Sequence, residues 1–264
     1  MAWLVESSVR PLMEGESLFM GAWHCPGEHR PWSSEHAVTC ELELPLAGTH
    51  LRAAGRRRWV VDATKAMIHR AGDEYLMASP TGLPQRSTLL RLRAPLLEEM
   101  GIRPETRSVP LGAGTALLHA RLLGAPDPFA REELALHLAQ ALLRLEGGHR
   151  TEGIPASSMR LVQRLEEFIS VRFADRLTLE GLARSCGASP FHASRVFRAA
   201  TGETLHQRLT RTRLRAGLYQ LKDMEGRLSA LSQSLGFSSH SHFTAAFRRE
   251  YGCAPAAWAA RSST

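Results

Sequence analysis

Arg195 and Arg198, with Phe191, His192 and Ser194 shortly before them, are side chains suited to gripping a polyanion. A guanidinium forks onto phosphate oxygens or onto the O6/N7 edge of guanine, and hydroxyls and imidazoles add short-range hydrogen bonds. A second set follows in His240, Ser241, His242, Thr244, Ala245, Arg248 and Arg249. Both sets sit in one frame: Ser189, Phe197, Arg198 and Gly202 recur 50 residues later as Ser239, Phe247, Arg248 and Gly252. Each copy reads as a short apolar helix, a glycine turn, and a second helix opened by Ser189 or Ser239 and closed by Gly202 or Gly252. A serine in that place satisfies an orphan amide, and the helix N-terminus attracts phosphate. The pattern is a tandem helix-turn-helix, which gives one chain two major-groove readers. Val196, Phe197, Phe243 and Phe247 are expected inside, leaving the polar sets outside.

The elements that must hold these helices are legible on either side. Met159 to Phe173 carries an apolar stripe of Leu161, Leu165, Phe168 and Ile169. Leu179 to Cys186 and Ser189 to Thr201 form the first unit, and Leu228 to Leu235 and Ser239 to Tyr251 the second. Leu205 to Leu221 connects them, with Leu209, Leu214, Leu218 and Leu221 expected to face inward. The net charge of +7 is not evenly spread: from Ser158 onward there are 16 basic and 8 acidic residues, leaving 17 and 18 in the rest. The repeat-bearing half therefore carries +8 and the other half −1, which points to a polyanionic partner for one half only. With 264 residues, two domains are expected: residues 1–147, a Gly- and Pro-containing linker at 148–157, and residues 158–264.

The first half, from Ser17 to Arg93, alternates short β-branched or apolar runs with turn residues at about ten-residue spacing, the pattern of a small barrel or jelly roll. Short helical pieces follow at Leu96 to Met100 and Thr115 to Leu123. Asp127-Pro128 then opens a helix whose Leu134, Leu138, Leu142 and Leu145 recur at helical spacing. That stripe reads as plain core or, alternatively, as a helix pair across a homodimer axis.

Cys25, Cys40, Cys186 and Cys253 show no CxxC spacing, which argues against a zinc ribbon and a disulfide framework. The N-terminus has neither a basic n-region nor a long apolar run, so no signal peptide or membrane span is expected and the cytoplasm is the default location. His24, Cys25, His29, His36 and Cys40 could hold zinc or copper, or make Cys25 a reactive thiolate. The plainer alternative puts Cys40 in the core and the histidines on a loop. No nucleophile elbow, glycine-rich phosphate loop or facing pair of acids is present, so catalysis has no support.

The segment from Ser158 to Arg261 resembles the DNA-binding domain of the AraC/XylS family of bacterial transcription regulators. The likeness rests on Leu231-x3-Leu235-Gly-Phe-Ser-Ser-x-Ser-His-Phe243-x3-Phe247-Arg-x3-Gly252-x2-Pro255-x2-Trp258, on Ser189-x5-Arg195-x-Phe197-x4-Gly202, and on Arg213-Leu-Arg-Ala216. His242 stands where Tyr is commoner, and Ala193 where Leu is usual. The resemblance implies an α+β multidomain chain: an N-terminal cupin-like β-barrel with trailing helices, and a C-terminal all-α domain with two helix-turn-helix units joined by a long helix. It implies base reading by Phe191, Ser194 and Arg195 in the first reader and by His240, Ser241 and Ala245 in the second. A good arginine–guanine contact is worth ~1–3 kcal/mol of discrimination. Phosphate contacts are expected from Ser189, His192, Arg198, Ser239, His242, Arg248 and Arg249. In the family the readers enter successive major grooves of double-stranded DNA, about 34 Å apart. The first domain there binds an effector, dimerises, or does both. No cofactor is required; a metal ion or small molecule could serve as signal, although His24 to Cys40 departs from the ligand spacing of metal-binding cupins. Activation through RNA polymerase is the implied mode, with repression, or a metal- or thiol-responsive regulator, as alternatives. An oxygenase fused to a DNA-binding tail is a further rival, opposed by the incomplete ligand set. An alkyl-transfer repair protein needs a cysteine-held zinc cluster, and two of these four cysteines lie in the helix-turn-helix units.

Overall fold

Period-two burial at the start of the chain builds sheet, and period-3.6 burial after it builds helices. The computed structural model describes residues 8–27, 30–55, 57–79, 82–145, 155–224 and 226–262. The chain divides into two compact units, Met1–Gly147 and Gly148–Thr264. Of the expected linker, 148–154 lies outside the described residues, and its end is already helical, since the first helix of the second unit starts at Ala156.

In the first unit β1 (Ser8–Glu14), β2 (Leu18–Cys25), β4 (Cys40–Ala47), β7 (Lys65–His69), β9 (Gln85–Leu92) and β10 (Arg107–Pro110) form one antiparallel sheet in the order β1-β2-β9-β4-β7-β10. A second sheet runs β3-β8-β5-β6, from β3 (Arg30–His36), β5 (His50–Ala54), β6 (Arg57–Val61) and β8 (Glu74–Ser79). No ladder joins the two sheets among the described residues, so the unit is sheet-rich without being the closed barrel that was expected. Strand β10 also lies beyond the stretch expected to be β.

Helices α1 (Ala94–Glu99), α2 (Ala113–Gly124) and α3 (Pro128–Leu143) trail the strands. Leu42 and Leu44 of β4 and Leu90 and Leu92 of β9 share one core with Leu122 of α2 and Leu138 and Leu142 of α3. The start of α3 is as its sequence requires: Asp127 accepts a hydrogen bond from the Ala130 amide at 2.8 Å, with Pro128 in the first turn. Leu138 and Leu142 are wholly buried, and Leu134 and Leu145 pack on the same core. The leucine stripe is therefore consumed within its own unit and is not a free dimer surface. Each such leucine contributes about 1.5–3 kcal/mol through burial.

The second unit is helical: α4 (Ala156–Arg172), α5 (Leu179–Ser185), α6 (Pro190–Thr201), α7 (Leu205–Gln220), α8 (Leu228–Ser234), α9 (His240–Tyr251) and α10 (Pro255–Ser262). Leu161, Leu165 and Ile169 of α4 pack with Leu182 of α5, Phe197 of α6 and Leu205 of α7. On the other side Phe237, Phe243 and Phe247 stack in series at 5.2 and 5.7 Å between centroids. A full capping box, Thr204 with Gln207, starts α7.

Candidate nucleic-acid interface

Both reading helices are built as their residue types dictate. Ser189 Oγ accepts from the His192 amide at 3.3 Å, and Ser239 Oγ accepts from the His242 amide at 3.1 Å. Gly202 and Gly252 close the two helices at φ +75°, their amides donating to Arg198 O and Arg248 O. Ahead of the second reader, Gly236 turns the chain at φ +78° where a Cβ would lie 2.5 Å from the carbonyl oxygen of Ala174. Only glycine allows that approach.

The amphipathic split falls where expected. Ala193, Val196, Phe197 and Ala200 of α6 are buried, as are Phe243, Ala246, Phe247 and Tyr251 of α9. Ala193, standing where a larger residue is usual, is completely enclosed. On the outer face of α6, Arg195 and Arg198 are exposed, His192 and Ser194 are half-buried, and Phe191 projects with 78 % of its surface in solvent. On α9, Ser239, His240, Ser241, His242, Ala245, Arg248 and Arg249 are all exposed. The His242 ring is steered by Ser238, whose Oγ lies 3.1 Å from Nδ1, and meets the Phe237 ring edge-on. His240 Nε2 lies 3.5 Å from Thr244 Oγ1.

The arginines of this unit fall into two groups. Arg195, Arg198, Arg248 and Arg249 form no ion pair among the described residues. Those of α7 are engaged inside. Arg208 donates to Glu166 at 2.7 Å and pairs with Glu203 at 2.7 Å, while Arg211 reaches the other Glu203 oxygen at 2.8 Å. Arg215, wholly buried, donates to Tyr251 Oη at 3.0 Å and lies 3.8 Å from Glu250. Arg213 donates to the carbonyls of Phe173 and Asp175 at 2.7 and 2.9 Å. Helix α7, roughly 24 Å long at 1.5 Å per residue, is thus tied to α4 through Arg208 and to α9 through Arg215. The expected inward face of α7 held only leucines, and the buried roles of Arg208 and Arg215 were missed. The available signal was the seven-residue spacing of Arg208 and Arg215, which puts both on one helical face.

Among the described residues, the candidates His24, Cys25, His36 and Cys40 are spread over three strands, β2, β3 and β4. His24 is exposed and Cys25 buried, as neighbours on one strand must be when one face is covered. His36 ends β3 in the other sheet, and Cys40 lies in the core, its thiol pushed up to about 12 by burial and by Glu41. His29 lies outside the described residues. Among those described, no group of three or more His, Cys, Asp or Glu is placed to hold a metal. The first unit has a cleft of about 450 Å3, partly open to solvent, with lining residues from both sheets.

A helix-turn-helix domain model matches residues 182–261, which spans both reading helices. The transcriptional activator RhaR of Salmonella newport (strain SL254) is 30 % identical over 241 residues, covering 83 % of this chain and 84 % of that protein. The chain belongs to the AraC/XylS family. It is a DNA-binding regulator of transcription, and the matched segment holds both α6 and α9. The bifunctional transcriptional activator/DNA repair enzyme AdaA of Bacillus subtilis (strain 168) is 30 % identical over 95 residues, or 36 % of this chain and 45 % of that one. ToxT from Vibrio cholerae aligns over 92 % of this chain and 98 % of its own, at 7 % identity and a TM-score of 0.40. No described helix of this regulator is long and apolar enough to cross a membrane.

Proposed function

We propose that this chain activates transcription from the cytoplasm by laying α6 and α9 into successive major-groove segments of its operator, under control of a small molecule bound by the first unit. The observation that carries the reading is a set of exposed arginines, Arg195, Arg198, Arg248 and Arg249, on two serine-capped helices related by a repeat. Arg195, Phe191 and Ser194 read bases from α6, and His240, Ser241 and Ala245 read fewer from α9, where Ala245 can only touch a thymine methyl. His192, Arg198, His242, Arg248, Arg249 and the capped N-termini hold phosphates. The first unit is read as a cupin-like domain opened into two sheets. Activation, with RNA polymerase as partner, is favoured over repression by the likeness to the transcriptional activators RhaR and AdaA. A homodimer would meet through a surface other than the α3 leucines.

Footprinting on the chain's own upstream DNA, followed by titration over a range of salt, tests this. Arg195→Ala should relax preference for operator over random duplex by roughly 5- to 150-fold, the ~1–3 kcal/mol of one bidentate base contact. Arg249→Ala should weaken every duplex alike and lower the salt slope by about one unit. Equal losses on all DNA for both variants would overturn the division of roles. A reporter that falls rather than rises on expression of the chain would reverse the sign.

A further inference from the structure

Helix α7 is the covalent link between the two helix-turn-helix segments, and each of its ends is docked on a different one. Leu205 shares a core with Leu161, Leu165 and Phe197 on the first side, where Arg208 also bonds to Glu166. At the other end Gly217 lets the second segment come close, since a Cβ there would lie 2.8 Å from Leu235 Cδ1 and 3.3 Å from Phe243 Cε2. Were α7 the sole connection, the angle between α6 and α9 would be set by one helix, and helices bend gently along their length.

A second connection runs from turn to turn. The backbone that leaves α4, from Phe173 to Asp175, meets the Gly236-Phe237 turn that precedes α9. A Cβ on Gly236 would lie 2.5 Å from Ala174 O and 2.9 Å from Arg213 Nη2, so the two turns touch and Arg213 sits at their seam. Its Nε donates to Phe173 O at 2.7 Å, its Nη2 donates to Asp175 O at 2.9 Å, and its guanidinium lies 5.8 Å from the centroid of the Phe237 ring. Phe173 caps α4, and its carbonyl is among those that a helix end leaves unmet. The turn it opens is itself held: the Asp175 amide donates to Arg172 O at 2.9 Å, and the Asp175 carboxylate lies 3.3 Å from Arg172 Nε. A guanidinium can bond two carbonyls and lie over a ring in one pose, which the single point of an ammonium does not reproduce. Hydrogen bonds from an ionised donor are also about twice as strong as neutral ones. Arg213 is half-buried and spends these contacts on the protein, unlike the exposed arginines of α6 and α9.

We infer that Arg213 is a positioning residue that locks the two turns together and fixes the distance and rotation between α6 and α9, so that the spacing of the two operator segments determines specificity alongside their bases. The inference rests on the reading of α6 and α9 as the two DNA readers. With roughly 10 base pairs in a turn of about 34 Å, one inserted base pair moves a segment by about 3.4 Å and rotates it by about 35°. A locked pair of readers does not follow that change, and DNA is stiff over so short a length.

The test is binding of the full chain to three kinds of duplex: the footprinted operator, the same operator with one base pair inserted or removed between its segments, and the α6 segment alone. Wild type should lose at least about tenfold in affinity when the spacing changes. Arg213→Lys keeps the charge and gives up the fork, so its spacing penalty should fall below about threefold. Its affinity for the single segment and its salt slope should match wild type, which a general loss of structure would not allow. Arg213→Gln, which avoids a half-buried ammonium, should behave alike and serves if the lysine variant fails to fold by circular dichroism. Spin labels on the exposed positions Ser185→Cys and Ala230→Cys, with half-exposed Cys253→Ser, report the same geometry without DNA. The distance distribution should be narrow with Arg213 and broader in its variants. An equally narrow distribution in the variants would overturn the proposal, and so would equal losses on single-segment and two-segment duplexes. If the distribution broadens while the spacing penalty is the same in both proteins, the lock stands and the assignment of α6 and α9 as readers falls.

Discussion

The interior arginine of α7 gives the sharpest quantitative test of how the readers are held. Arg208 has a side chain 7 % exposed and lies between Glu166, 3 % exposed, and Glu203, 11 % exposed, at 2.7 Å from each. At an effective dielectric of about 20, unit charges ~4 Å apart attract by about 4 kcal/mol, part of which offsets desolvation. Arg208→Met removes that cation from two buried acids. Glu203 retains Arg211 at 2.8 Å, so the loss falls mainly on Glu166, and breaking a buried pair in this way costs about 3–5 kcal/mol. Adding Glu166→Met removes the second charge of the pair and should recover most of the loss, since an apolar replacement of both partners is often neutral. Urea titration followed by helical circular dichroism measures both variants. A single variant less stable by under about 1 kcal/mol, or a double variant no more stable than the single, would refute the reasoning. The single variant should also lose affinity for a two-segment operator more than for a duplex holding only the α6 segment, because Arg208 fixes α4 to α7.

Glycine placement gives a paired prediction: Gly202→Ala meets open space and should cost only the left-handed strain of about 1–2 kcal/mol, whereas Gly236→Ala adds a backbone clash with Ala174 and should lower Tm clearly further. Equal Tm values would refute it. Acid should weaken the first unit through His69, which burial and then Arg52 hold down at about 3. Between that value and about 6.5 the unfolded chain takes a proton that the folded chain refuses, so stability falls as pH drops through this window, by up to about 1.4 kcal/mol per pH unit. His69→Phe, which can keep the stack on Tyr75 at 4.0 Å, should flatten the pH dependence of urea midpoints, and an unchanged slope would count against the assignment. A thiol reagent at mildly alkaline pH should modify half-exposed Cys253 in the native chain and spare Cys40, whose thiol lies at about 12; mass spectrometry showing early Cys40 modification would contradict its burial.

The reading helices were legible because everything that makes them is local. Serine caps, left-handed glycines and apolar residues at helical spacing lie within a dozen positions of one another, and the repeat states them twice. The first unit was harder. Strands β1, β3 and β10 contain Pro11, Pro31 and Pro110, which hide a strand from pattern reading, yet each is an edge strand, where a missing amide is tolerated. Pro45 falls in the central β4 at a break in register. Closeness along a strand is not closeness in space: His24 and Cys25 leave β2 by opposite faces, one exposed and one buried. The buried pairs Glu43–Arg52 and Glu166–Arg208 were invisible for the opposite reason, since their partners come from separate strands and from helices 42 residues apart.

The two outward faces are not copies. Both helices carry arginine in the last turn, but ahead of it α6 presents a phenyl ring and the Arg195 guanidinium, while α9 presents imidazoles, a hydroxyl and a bare methyl. A bound chain therefore has a heading along the duplex. Turning its site end for end would set the wrong reader over each half, so orientation relative to the gene becomes part of the address. Under the proposed assignment of readers, a single chain would suffice to single out a sequence with no palindrome in it.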